Sequence, residues 1–135
     1  MDLLKLLRDR DAGWVRITFA KNYSYELKDV IARVGLPGGP SDLRRISQEQ
    51  AIDTMTRILW RDLAYRKELI AEEGAHQSAL TFVNEYASAD AEFYNNLELS
   101  GDSSAWFPVS DSTFDLCLLI VNKDSAVCVL AEDDD

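Results

Sequence analysis

The chain has 135 residues and a formal net charge of −10. Residues 1–70 hold 13 Lys/Arg against 10 Asp/Glu, a net of +3, whereas residues 71–135 hold Lys123 alone against 14 Asp/Glu, a net of −13. Phosphate neutralisation needs Lys and Arg clusters, so nucleic acid and anionic membranes are disfavoured as direct partners, and a basic protein is the natural complement.

The length fits one domain, 1–135, and 47% apolar residues supply a core. No run approaches the ~18 apolar residues of a membrane span. Met1 to Arg10 mixes Leu with charges and lacks the continuous apolar stretch of a signal peptide. Cys117 and Cys128 make no disulfide framework. These features point to a soluble cytoplasmic protein with reduced thiols.

In chain order, apolar positions 3, 4, 6 and 7 suggest a short amphipathic helix that Gly13 would end. From Trp14 to Phe19 the pattern alternates: Val15, Ile17 and Phe19 fall on one side, Arg16 and Thr18 on the other. A strand is favoured there, with a helix through Trp14, Ile17 and Lys21 as the alternative. Leu27, Val30, Ile31 and Val34 keep helical spacing, with Gly35 placed as a left-handed stop and Pro37 as a breaker. Gly35 to Asp42 reads as a surface loop.

Ser47 and Gln50 form the S-x-x-Q capping-box pattern, which starts a helix through Ile52, Met55, Ile58/Leu59 and Leu63 to about Ala64. Its opposite face carries Asp53, Arg57, Arg61 and Asp62. Gly74 is read as punctuation before a short helix through Ala79, Leu80, Phe82, Val83 and Tyr86. Phe93, Asn95, Leu97 and Leu99 then share one face of an alternating segment, and Gly101 to Ser104 is turn-like. Leu116–Val121 and Ala126–Leu130 are apolar runs flanking Asn122-Lys123-Asp124-Ser125, which predicts a β-hairpin. A turn at 122–125 sets Cys117 opposite Leu130 and Cys128 opposite Leu119. Runs so uniformly apolar imply that both faces are covered. The expected fold is therefore α+β, with N-terminal helices (1–88) packed on a small, mostly antiparallel, acidic C-terminal sheet (90–135).

Catalytic sets are scarce. His76 is the single histidine and sits in a polar stretch, where a surface histidine at a helix start is the simplest reading. One histidine and two cysteines without C-x-x-C spacing give no common zinc pattern, and no P-loop, G-x-S-x-G or G-x-G-x-x-G string occurs. Cys117 and Cys128 are either a nucleophile or redox pair or, more simply, buried inert thiols. Asp111 with Asp115, and Glu98 with Asp102, have acid-pair spacing, which a chain this acidic also produces by chance. The EF-hand pattern is absent around the terminal acids. Neither an enzyme nor a cofactor is implied. Trp106-Phe107-Pro108 lies in a polar connection, where the aromatics either anchor a partner or tuck under the sheet.

Trp106-Phe107-Pro108-Val109-Ser110-Asp111-Ser112-Thr113-Phe114-Asp115, an apolar hairpin and Glu132-Asp133-Asp134-Asp135 together resemble the ending of bacterial immunity proteins. Such proteins neutralise toxins of contact-dependent growth inhibition and related polymorphic toxin systems. Arg61-Asp62-Leu63-Ala64-Tyr65 and Glu92-Phe93-Tyr94-Asn95-Asn96 resemble the same family, so the likeness covers about residues 47–135. The family pattern has a glycine soon after T-F-D and an aromatic before the final acids, where this chain has Leu116/Cys117 and Val129/Leu130.

The resemblance implies a cytoplasmic, non-enzymatic inhibitor made beside a cognate basic toxin, often a nuclease. A second reading is an acidic nucleic-acid mimic that blocks a DNA- or RNA-binding protein. For the toxin-binding role the candidate contacts are Asp102, Trp106, Phe107, Asp111, Asp115, Glu132, Asp133, Asp134 and Asp135. Asp111 and Asp115 have a turn-capping role as their alternative, and the terminal acids that of a solvated end.

Overall fold

A computed structural model describes residues 14–21, 26–36, 39–60, 68–96 and 114–133. Among these residues five strands form one antiparallel sheet: β1 (Trp14–Lys21), β2 (Arg44–Ile46), β3 (Glu92–Asn95), β4 (Phe114–Val121) and β5 (Ser125–Asp133), in spatial order β1-β5-β4-β3-β2. Among the described residues three helices accompany it: α1 (Leu27–Val34), α2 (Gln48–Trp60) and α3 (Glu72–Tyr86). A 3-10 turn, Pro40–Asp42, precedes β2.

The class is α+β, but the expected arrangement of N-terminal helices on a C-terminal sheet is overturned. The described helices lie mid-chain, while β1 and β2, both from the first half, form the two edges of the sheet. β2 is three residues long, too short to show an alternating pattern. The division at residue 88 fails for the same reason.

The hairpin β4–β5 is the centre of the molecule. Leu116, Leu118, Ile120, Val127, Val129 and Ala131 face the cluster built by α2 and α3. Cys117, Leu119, Val121, Ala126, Cys128 and Leu130 face Val30, Ile31 and Val34 of α1, with Leu36 and Leu43. Helices thus cover both faces, which is why these strands carry no polar alternation. The pairs Cys117↔Leu130 and Leu119↔Cys128 match the expected register.

Local signals account for the helices. Ser47 Oγ accepts from the Gln50 N–H at 3.1 Å, and Gln50 Oε1 accepts from the Ser47 N–H at 2.9 Å, so the capping box forms. α2 buries Ala51, Thr54, Met55, Ile58 and Leu59, a stripe at helical spacing. Thr54 and Thr56 donate their hydroxyls to the carbonyls of Gln50 and Ile52, which lets polar side chains enter the interior.

α1 ends at Gly35, whose φ of 75° is left-handed. The Gly35 and Leu36 N–H groups donate to Ala32 and Ile31, closing a Schellman cap. α3 begins before Gly74, which sits in the first turn of that helix and does not break it. Glu72 and Glu73, in the same turn, favour the helix dipole. Ala75 and Ala79 are fully buried and allow α3 close to α2, with Phe82 and Val83 filling the interface.

The hairpin turn is tied to α3. Asn122 Nδ2 donates to the Tyr86 carbonyl at 2.8 Å, and its Oδ1 accepts from the Ser88 N–H at 2.8 Å. One side chain satisfies backbone groups at the end of the helix and locks the turn beneath it. Among the described residues no helix is long and apolar enough to cross a membrane.

Candidate partner-binding surface

The outer side of the helical layer holds a groove of about 650 Å³ between α2 and α3. Its α2 wall is Asp53, Thr56, Arg57 and Trp60, spaced so that they share one face. Its α3 wall is Glu72, Glu73 and His76, from the first turns of that helix. Three carboxylates and one guanidinium therefore line the groove beside a half-buried indole, whose Nε1 donates to Glu68 Oε2 at 3.4 Å. Such a groove favours a cation, and an aromatic ring adds attraction for a guanidinium or ammonium placed over its face. Glu85, Asp90 and Asp124 extend the exposed acids of the second half.

The residues expected to meet a partner fall into three groups. Asp102, Trp106, Phe107, Asp111, Asp134 and Asp135 lie outside the described residues. Glu132 and Asp133 are the last residues of β5, so these acids sit on a strand and not on a loose end. Glu132 is 17% exposed and forms an ion pair with Arg16 of β1 at 3.0 Å, which binds the edge strand to its neighbour.

Asp115, expected at the docking surface, is instead internal. It is 1% exposed, and its Oδ1 accepts from Asn96 Nδ2 at 2.8 Å. Asn96 Oδ1 in turn accepts from the backbone N–H of Cys117 at 2.9 Å. β3 pairs with β4 through Asn95↔Leu118, and the Asn96 side chain carries the link on toward Asp115. This carboxylate holds the sheet together from inside and is not a docking group.

Both cysteines are free and buried. Burial pushes the Cys117 thiol well above its ordinary range, with Cys128 and Asp115 adding to the effect. Burial also pushes Cys128 up to about 12, against a small opposing influence from Arg16. Thiols held protonated are poor nucleophiles. Tyr94 is raised to about 12, first by burial and then by its hydroxyl donating to Glu92 Oε2 at 2.8 Å. Glu92 also meets Arg45 at 3.6 Å, which ties β3 to edge strand β2.

His76 is exposed near the start of α3, as expected, and it lines the acidic groove. No local pattern in the sequence marks the groove itself. The Asp53/Arg57 face of α2 was a legible signal, as was the Glu72-Glu73 pair. Their juxtaposition depends on how two helices pack. Among the described residues no group of three or more His, Cys, Asp or Glu could hold a metal ion. The chain matches no protein-family model, and no curated protein or solved structure is significantly similar to it.

Proposed function

We propose that this protein is an immunity protein that binds and neutralises one basic toxin domain, a nuclease being the class whose charge fits best. The observation that carries this reading is the distribution of charge. Residues 71–135 hold one cation against 14 acids, and Glu72, Glu73, Glu85, Asp90 and Asp124 are exposed. A nuclease cleft is basic because it must hold phosphate, so an acidic protein can occupy it in place of substrate. The likeness of residues 106–115 and 132–135 to immunity proteins supports the same reading.

The contacts proposed are Asp53, Glu72 and Glu73 with Trp60 in the groove, together with Asp102, Trp106, Phe107, Asp111 and the acids Asp133 to Asp135. Acid–base steering speeds capture, and aromatic anchors slow release. Asp115 has no part in docking, since its carboxylate is internal.

Co-expression with the product of the neighbouring reading frame tests the function. Binding and restored growth are the expected results; a product that is neither bound nor detoxified refutes the proposal. Reversing Glu72, Glu73, Asp111 and Asp133 to Lys should slow association at least tenfold and flatten its salt dependence. An unchanged on-rate moves the interface to another surface.

A further inference from the structure

We propose that the outer edge of β1 pairs antiparallel with β1 of a second copy, joining two sheets into one of ten strands across a two-fold axis. This inference does not depend on the toxin reading.

β1 is an edge strand of eight residues whose inner side pairs along its whole length with β5, and among the described residues no strand pairs with its outer side. Natural edges are usually blunted by shortness, proline, a bulge or an inward charge. β1 is long, contains no proline or glycine, and runs in unbroken register from Trp14↔Glu132 to Lys21↔Ser125. By contrast the opposite edge, β2, has three residues. The exposed large apolar side chain of the described surface, Phe19 at 53%, also lies on β1, where it leans on Tyr86 with ring centroids 5.3 Å apart.

The sequence of β1 is self-complementary in one antiparallel register. With the axis at Ile17, Val15 lies opposite Phe19 of the other copy and Ile17 opposite its own counterpart. The face that packs on α2 and α3 is thereby extended by apolar pairs. On the other face Arg16 lies opposite Thr18, and the two Arg16 residues are diagonal neighbours and not directly opposed. Arg16 is already compensated by Glu132 at 3.0 Å, and Lys21 falls beyond the paired centre. Moving the axis to Thr18 would set Lys21 against Val15, a poorer match. Phe19 gains cover in the Ile17-centred arrangement. A symmetric two-fold contact of this kind closes at two copies.

Paired strands alone bury less than a standard interface, so the dimer should be weak, dissociating at tens of micromolar. Sedimentation velocity of the full chain from about 1 to 500 µM at 0.15 M salt should show a rising, reversible dimer fraction. A monomer across that range overturns the proposal.

The register has its own test. Thr18→Lys sets Lys opposite Arg16 twice across the axis, and Thr18→Glu sets Glu there. The dimer should weaken about 3- to 10-fold in T18K and tighten in T18E. General repulsion between two acidic chains predicts the reverse order, because T18K takes the net charge from −10 to −9 and T18E takes it to −11. Melting curves establish that each variant is folded. The reverse order, or no change in folded variants, overturns the register. If either variant fails to fold, Ile17→Cys serves: oxidation should yield a dimer linked through Cys at this position, and its absence overturns the axis.

Discussion

Asn96 and Asp115 are joined inside the protein: Asn96 Nδ2 donates to Asp115 Oδ1 at 2.8 Å, and neither side chain is more than 1% exposed. The same Asn96 accepts from the Cys117 backbone at 2.9 Å, so one amide serves a buried carboxylate and a buried N–H. Removing a partner from such a pair leaves polar groups dry, which costs more than the bond itself contributes.

Asn96→Ala should therefore lower stability by about 3 kcal/mol, because a carboxylate and an amide N–H both lose a partner. Asp115→Asn keeps the shape and should cost less, about 1–2 kcal/mol. Urea titrations measure both. Equal losses in the two variants would argue against the internal role of Asn96. In the presence of the partner, Asp115→Asn should leave the association rate unchanged, since the carboxylate does not reach the surface.

Asn122 makes a second long-range tie, between the hairpin turn and the end of α3. Asn122→Ala should cost about 2 kcal/mol, with the Tyr86 carbonyl and the Ser88 N–H both losing a partner. Hydrogen exchange should speed up at Ser88 in this variant. Unaltered protection there would show that the tie carries no stability.

The ends of the helices give smaller, additive effects. Ser47→Ala removes the acceptor for the Gln50 N–H and should cost about 1 kcal/mol. Gly35→Ala meets no steric contact within 4 Å, so its cost is that of the left-handed backbone, about 1 kcal/mol. The two sites lie on different helices, and the double variant should show the sum of the losses in denaturant titration. A clear departure from additivity would reveal coupling between α1 and α2 through the sheet.

The cysteines predict alkaline behaviour. In the native state both thiols titrate far above their ordinary value of 9.0, Cys128 at about 12. The unfolded chain releases these protons first, so it binds fewer protons than the folded chain above pH 9. Stability contributed by the protonated thiols is complete below pH 9 and is lost as pH rises toward 12. Tyr94 acts in the same direction between 10 and 12. Urea midpoints should fall steadily over this range, and in a Cys117→Ala/Cys128→Ala variant the decline should begin nearer pH 10. At pH 8 the native thiols should resist a disulfide reagent, then react fully once unfolded. Rapid labelling of the folded chain would contradict their burial.

Much of this protein is determined close to each residue. The capping box at Ser47 and Gln50, the stop at Gly35, the alternation of Val15, Ile17 and Phe19, and the pairing of Cys117 with Leu130 all follow from neighbours a few positions away. Their backbone and turn geometry needs nothing distant. Packing decided the rest. β2 became a strand by pairing Arg44, Arg45 and Ile46 with β3, although three residues carry no pattern of their own. Gly74 was taken into α3 because the buried stripe from Ala75 to Val83 fixes that helix against α2. Asp115, one acid among many in the sequence, became internal because Asn96 meets it across the sheet. The groove of Asp53, Glu72, Glu73 and Trp60 exists only where two helices meet. Charge is additive along a chain and so is legible there, whereas the neighbours of a given charge are set by contacts between residues far apart in sequence.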